Sequence, residues 1–405
     1  MMKKKILYLI SLVKIIFRAK IIWKSPEKKR LIIFDNYTTR YLSKKIFKRD
    51  EIIEILCPGE GRSLENIYVS FEVITKSIIE ILKGNFTNFY YIALIKIIEP
   101  KVILTFTEYN FAFFKIAKKL RKKYKFIIIQ MSHSSLFEYS EKDLKKFYTP
   151  EFLCLNKFTV DHYSSLGVKV EKFTVIGSIN LSLAEQSLNL NQNNQKLNNP
   201  YICVIAGAMP YISQSLDNKV LKQLYERQVK LWQYVDRFSR KHKIFFKLAS
   251  RQEEDYEKSD LIKHQKYERE NQIFNEISKN NSFFTKEKRF KEKFSNYELA
   301  FNSELVIGFH STLLLESLAK QKKILCLSSL DHYKSFPLDP LMPEDNVSSM
   351  YNPSYEDFEN RILKLYNMPL EKYLEIIFYK KKYMLYYDSK YSTIKRVQDH
   401  INKIV

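Results

Sequence analysis

Glycine is scarce in this sequence, with 7 in 405 residues. Each glycine motif is therefore read singly rather than as part of a glycine-rich loop. Cysteine is scarcer still. Cys57, Cys154, Cys203 and Cys326 lie far apart, each in or at the end of an apolar, strand-like run. No CxxC or Cys/His ligand spacing occurs, which argues against a zinc-ribbon site and for buried free thiols in a reducing compartment. Long apolar runs are missing too. The run from Ile6 to Phe17 is about 12 residues, holds Ser11 and Lys14, and is too short for a spanning helix. No small-residue cleavage site follows it, so a secretory signal is a poor fit. Acidic residues are outnumbered, 45 to 68, leaving a net charge of +23. Lysine carries most of that excess. Abundant Lys, Ile, Asn, Tyr and Phe point to an AT-rich genome, which inflates the lysine count. Arginine-rich patches interleaved with stacking aromatics are absent, so no nucleic-acid partner is expected. The basic surface suits an anionic membrane face or phosphorylated ligands. No short fixed-period repeat is visible.

What remains is a chain of 405 residues, 45% hydrophobic, with room for two domains of ordinary size. Residues 1–27 read as a basic amphipathic helix. On a helical wheel Lys4, Ser11, Lys14 and Arg18 share one face and Ile, Leu and Phe residues take the other, a pattern for the membrane interface. Residues 28–186 then alternate short apolar strands with helices. The expected strands are Leu31 to Asp35, Ile52 to Cys57, Val102 to Phe106, Phe126 to Gln130, Glu151 to Leu155 and Phe173 to Gly177. Helices are expected over Phe71 to Leu82, Phe89 to Ile98, Phe111 to Tyr124 and Thr159 to Leu166, the last closed by Gly167. Short buried strands separated by helices imply a parallel sheet covered on both faces.

Residues 187–199 are polar, Asn-rich and low in complexity, and read as a linker. A second α/β series spans 200–345, with strands at Tyr201 to Ile205, Ile244 to Leu248 and Ser282 to Thr285. Its helices are expected over Leu216 to His242 and Phe290 to Phe301. The series culminates in Leu305-Val-Ile-Gly-Phe-His-Ser-Thr-Leu-Leu-Leu-Glu-Ser-Leu-Ala319, which reads as strand, tight loop and helix, followed by a buried strand at Ile324 to Leu327. Ser311 or Thr312 can cap that helix. A helix N-terminus just past a buried parallel strand offers free N–H groups to an anion, at the edge where open α/β sheets bind ligands. Glu316 follows one turn later, where a carboxylate can accept from a ribose diol. An ordinary capped βαβ unit fits the spacing equally well. Residues 346–405 are expected to be helical.

These residues carry a resemblance. The pair of Rossmann-like domains, with a strand–loop–Ser-Thr–helix–Glu segment late in the C-terminal one, resembles a GT-B glycosyltransferase. The 305–319 segment is similar to the donor-site segment of bacterial capsule Kdo transferases and teichoic-acid-type transferases. Nucleotide-sugar 2-epimerases carry a related segment. Val102-Ile-Leu-Thr-Phe-Thr-Glu-Tyr-Asn-Phe-Ala-Phe-Phe114 with Phe126-Ile-Ile-Ile-Gln130 resembles the bacterial surface carbohydrate (O-antigen) biosynthesis proteins. Phe173-Thr-Val-Ile-Gly-Ser178 resembles the Gly-Ser that closes their first domain. An aspartate often stands there at the place of Glu108, and a Gln-Asn-Gly-like turn at the place of Gln130-Met-Ser-His133. The resemblance spans roughly residues 30–330.

It implies an α/β chain of two Rossmann-like domains facing a cleft. The implied activity is metal-independent transfer of a sugar from a nucleotide-activated donor to a growing surface polysaccharide, O-antigen or capsule. No cofactor is implied beyond the donor itself, of UDP or CMP type. The partners would be a lipid-linked or oligosaccharide acceptor and an anionic membrane surface, on the cytoplasmic side. Gly308, His310, Ser311 and Thr312 are expected at the phosphate and Glu316 at the ribose. Lys247 and Arg251, at the end of a strand, could pair with phosphate, and Gly207 leaves room for close backbone approach. An inverting transfer also needs a base. His133, Glu108 and Glu60 each lie in a loop after a strand of the first domain. Backbone bonding, helix capping and a solvated turn are the competing roles for these three. The remaining histidines read as structural or surface groups. Competing functions are a nucleotide-sugar 2-epimerase on the same architecture, a noncatalytic polysaccharide-assembly protein, and a transferase that has lost its base.

Overall fold

The computed structural model describes residues 20–35, 45–48, 50–56, 66–108, 110–132, 144–188, 200–207, 219–251, 261–290, 294–309, 311–328 and 347–404. The expectations placed on Glu60, His133, His310, His332, Cys57, residues 1–19 and the linker 189–199 lie outside those residues.

The chain divides into two compact units. The first holds residues 1–155, 159–177 and 388–405, and the second holds 156–158 and 178–387. The strands of the first are β1 (Lys20–Ile22), β2 (Leu31–Asp35), β3 (Ile52–Leu56), β4 (Asn66–Tyr68), β5 (Val102–Thr105), β6 (Lys125–Ile129), β7 (Tyr148–Cys154) and β8 (Lys169–Val175). Its helices are α1 (Phe71–Leu82), α2 (Phe89–Ile98), α3 (Phe111–Leu120) and α4 (Lys157–Ser165). Six strands form one all-parallel sheet in the order β3-β2-β5-β6-β7-β8. Val102, Ile103 and Leu104 are fully buried, as a central strand covered on both faces requires. In α3 the Asn110 side chain accepts from Phe113 N at 3.1 Å, which starts the helix. Phe113, Phe114, Ile116, Ala117 and Leu120 face the core, and Lys115, Lys118 and Lys119 face out. Gly167 stands at φ +68 just past α4, the left-handed position its sequence context called for.

Two expectations change here. Lys20–Ile22, placed in the N-terminal helix, is a strand that pairs with Asn66–Tyr68 as a separate parallel ladder. The helix expected from Phe290 spans only Ser295–Phe301.

The second unit begins with α5 (Ile179–Leu188). It continues through β9 (Tyr201–Ile205), α6 (Lys219–His242), β10 (Phe245–Ala249), α7 (Leu261–Ile277), β11 (Phe284–Glu287), α8 (Ser295–Phe301), β12 (Leu305–Gly308), α9 (Thr312–Ala319) and β13 (Lys323–Ser328). β14 (Ser349–Tyr351), α10 (Tyr355–Asn367) and α11 (Leu370–Met384) complete it. Its sheet is also six-stranded and parallel, in the order β11-β10-β9-β12-β13-β14. The chain builds outward from β9 through β10 to β11, crosses back to β12, and builds outward again. Both sheets are Rossmann-like, and each reverses direction once, at β2/β5 and at β9/β12. Cys154, Cys203 and Cys326 are buried free thiols.

The tail is helical but not uniform. β14 adds a strand to the second sheet, and α12 (Thr393–Asn402) belongs to the first unit. Thr393 Oγ1 donates to Ile176 O at 3.1 Å, and Gln398 Nε2 donates to Ile46 O at 2.7 Å. No helix among the described residues is long and apolar enough to cross a membrane.

Candidate functional site

In an open parallel sheet the reversal point leaves a crevice at the carboxyl ends of its two central strands. In the second unit those strands are β9 and β12, in register at Ile205 and Gly308. Gly308 has a packing reason to be glycine. A Cβ there would stand 3.0 Å from Ile205 Cβ and 3.4 Å from Ile205 O. A side chain there would require Ile205 to give way by a few tenths of an ångström, so glycine suits the close approach of the two strand ends. Ser311 then caps α9 from an extended conformation, its hydroxyl accepting from Leu313 N at 3.3 Å. Thr312 is the first helical residue. Ser311 and Thr312 therefore sit at the end of α9 whose backbone N–H groups point outward, as their sequence implied.

Glu316 lies one turn into α9 and is fully buried. Its Oε1 accepts from the Ser178 hydroxyl. That hydroxyl accepts in turn from Leu181 N at 3.1 Å, so Ser178 caps the start of α5. Glu316 Oε2 has no hydrogen-bond partner. Burial raises the carboxyl, the hydrogen bond from Ser178 pulls it partly back, and the result is a pKa of about 7. A fully buried carboxyl with one oxygen unsatisfied is costly, which marks Glu316 as a functional-site candidate.

On the other side of the crevice, Gly207 follows β9. Its N–H donates to Gln228 Oε1 from α6. Gln228 is fully buried, and its Nε2 donor has no partner. The Arg227 guanidinium lies 4.7 Å over the Phe309 ring, which directly follows β12. Arg227, Lys230, Leu231, Tyr234, Phe309 and Leu327 help line a narrow cavity of about 30 Å³ at the same edge. Sequence reasoning missed Gln228, Arg227 and Ser178 as site residues. The first two are single polar positions in a helix rich in charge. Ser178 had a signal, the Gly177-Ser178 pair after β8.

Of the two strand-end cations expected at the phosphate, Lys247 is not brought to this point. Lys247 is in the middle of β10, not at its end. Its ammonium is 3.4 Å from Glu287 and 4.8 Å over the Tyr201 ring. Arg251 is two residues beyond β10 and exposed, and its carbonyl accepts from Arg289. A second, 640 Å³ cavity lies at the β11 edge, and Ser250, Asn271, Lys286 and Arg289 help line it.

In the first unit, Glu108 lies just past β5 at the β2/β5 reversal and is 4% exposed. Tyr163 OH donates to its Oε2 at 2.6 Å, and Gln130 Nε2 approaches the same oxygen at 3.4 Å. Gln130 Oε1 accepts from Leu155 N at 2.9 Å and from Thr159 Oγ1 at 3.2 Å. Glu108, expected as a candidate base, is thus held in a buried polar network with Tyr163 and Gln130. Helix capping is not its role, because Asn110 caps α3. Among the described residues, no group of three or more His, Cys, Asp or Glu side chains could hold a metal ion.

No protein-family model matches the sequence, and no curated protein sequence matches it. Solved structures do. The chain is similar to the S. aureus MnaA–UDP co-structure, with a TM-score of 0.55 at 12% identity, over 93% of this chain and 98% of that one. It is similar to the UDP-GlcNAc 2-epimerase from Neisseria meningitidis bound to UDP-GlcNAc, with a TM-score of 0.53 at 10% identity, over 93% and 99%. It also resembles the N-terminal domain of Candida albicans trehalose-6-phosphate phosphatase, with a TM-score of 0.50 at 8% identity, over 96% and 99%. At these identities the likeness shows the fold, which is GT-B-like.

Proposed function

We propose that the chain is a nucleotide-sugar enzyme that holds its nucleotide on the second unit, at the carboxyl ends of β9 and β12. One observation carries this reading. The sheet reversal joins a capped helix N-terminus, a glycine at a close approach of two strand ends, and a buried Glu316 with an unsatisfied oxygen. The α9 N-terminus and Ser311 and Thr312 receive the phosphate. The Glu316 carboxylate accepts from the ribose diol, the Ser178 hydroxyl giving way to it. The Phe309 ring, with Arg227 above it, offers a wall for the base. The UDP and UDP-GlcNAc named in the similar structures support a uridine donor.

The activity that fits the sequence resemblance is transfer of the sugar to a surface polysaccharide, with the leaving phosphate neutralised by the helix terminus rather than by a metal. A second reading is a nucleotide-sugar 2-epimerase, favoured by the names of the similar structures. A thermal-shift screen against UDP, GDP, CDP, CMP and their sugars tests the shared part. A ligand at 100 times its dissociation constant adds about 2.7 kcal/mol. Stabilisation by one nucleotide class that is lost in Glu316→Gln supports the site, and no shift from any of them sinks it. Incubation with the stabilising nucleotide-sugar alone then separates the two readings. An epimerase converts it to an isomer without acceptor, whereas a transferase releases nucleotide only when acceptor is added.

A further inference from the structure

Helix α1 is amphipathic, but it is turned the wrong way round for a soluble surface. Its inward face presents Val73, Ser77 and Glu80, all buried. Glu80 is 1% exposed and is held by Lys96 and by Asn85 Nδ2 at 2.6 Å. Burial alone would raise this carboxyl, yet Lys96, Lys83 and Asn85 hold it below the usual range. The outward face carries the apolar residues. Phe71 is 88% exposed, Leu82 81%, Ile78 52% and Ile74 49%. Their spacing of three, four and four residues aligns them as one stripe along the helix.

The stripe has an aromatic residue at each end. Val69 N donates to Ile22 O at 2.8 Å, which sets Trp23 beside the start of α1, and Trp23 is 78% exposed. Phe86, in the turn after α1, is 71% exposed. Six large apolar side chains in one band exceed the scattered exposure normal for a soluble surface. Beside this band lies a cationic one. Lys119 on α3 donates to Asn85 Oδ1, next to Phe86. From Phe111 to Lys125 there are seven lysines and arginines and no carboxylate, and Lys115, Lys119, Lys122 and Lys123 are exposed. Glu72, at the head of α1, is neutralised by Lys76 at 3.0 Å and bonded by Ser25 at 2.9 Å.

We propose that this face of the first unit, the α1 stripe with Trp23 and Phe86, docks onto an anionic phospholipid surface. Apolar side chains with flanking aromatics enter the interfacial layer, and the adjacent lysines meet the headgroup phosphates. The charge argues against a second copy of the chain as the occupant. Two surfaces rimmed by lysine, on chains of +23, repel each other. This inference stands apart from the nucleotide site and does not need it.

The two tryptophans make the test direct. Trp232 is fully buried, so a change in emission on adding vesicles reports Trp23. The full chain is titrated with phosphatidylglycerol-containing vesicles and with phosphatidylcholine vesicles, and co-sedimentation is measured in parallel. The expected result is a blue shift and sedimentation with the anionic vesicles only. Both should weaken at least tenfold in the double variant Phe71→Gln and Leu82→Gln, with an unchanged melting temperature. Lys119→Glu with Lys122→Glu should weaken binding and flatten its salt dependence. Binding that survives the apolar double variant would assign it to residues 1–19 and overturn the proposal. So would equal binding to neutral vesicles, no binding at all, or a dimer that the same variant dissolves.

Discussion

Glu316→Gln removes a charge that the fold holds at a cost, so it makes the protein more stable at high pH rather than less. In the folded chain burial carries the carboxyl from 4.5 to about 7. Between those values the folded chain keeps a proton that the unfolded chain gives up. The stability this group allows is whole below pH 4.5 and is lost as the pH rises through about 7. The full loss is about 3 kcal/mol, at 1.36 kcal/mol for each tenfold change in proton affinity. Glutamine retains an acceptor for the Ser178 hydroxyl and carries no charge at any pH. Thermal melts of both proteins at pH 5, 6, 7 and 8, without nucleotide, give the comparison. The variant should melt about 6 °C higher at pH 8, and the gap should close toward pH 5. It should also bind nucleotide at least tenfold more weakly, because an amide is a poorer acceptor for a diol. Parallel melting curves across the pH range would refute the reasoning. So would a glutamine variant less stable than its parent at pH 8.

Gly308→Ala brings a methyl group to 3.0 Å from Ile205 Cβ, on the paired central strand. It should cost about 1–3 kcal/mol in urea unfolding and weaken nucleotide-induced stabilisation. Glu151 on β7 works in the opposite direction from Glu316. Burial raises it, but His400 at 3.1 Å and Lys172 at 2.6 Å overcome this and hold it at about 2. Its contribution is present above pH 4.5 and is lost as the pH falls toward 2. Glu151→Gln should therefore lower stability at pH 7 by about 2 kcal/mol, with a difference that shrinks in acid.

The second sheet was legible because its signals are local. Leu305 to Ile307 is an apolar run ended by a glycine, Ser311 is a capping residue, and Leu313, Leu314 and Leu318 repeat with helical period. Each feature depends on neighbours within one turn, and β12 and α9 follow them closely. Gly167 was legible for the same reason. Lys20–Ile22 was not, because its pairing with Asn66–Tyr68 joins segments more than forty residues apart, and an apolar run alone fits either a helix or a strand. The three-residue β14 likewise exists only because β13 offers it an edge. The α1 segment was legible as a helix but not in its orientation. Its period gives one apolar and one polar face, and the choice of inward face rests on Lys96 and Asn85 claiming Glu80. At the site, Glu316 and Ser311 were visible through their motif. Gln228 was not, since one buried amide in a long charged helix has no pattern of its own.

The return of α12 has a consequence for how the chain is made. Its partners Ile46 and Ile176 are synthesised early, whereas α12 follows after about 200 residues of the second unit. During synthesis the first sheet must hold its shape without the segment that later packs on it. Closing so long a loop costs about 5 kcal/mol if the intervening chain is unfolded. That cost falls once the second unit has become compact and brings the ends together. Folding of the second unit would thus lower the loop-closure cost of a contact in which it takes no part. Docking of α12 should be the last step of refolding and the first lost in denaturant, so amide exchange in Thr393–Asn402 should run faster than in β5 or β6.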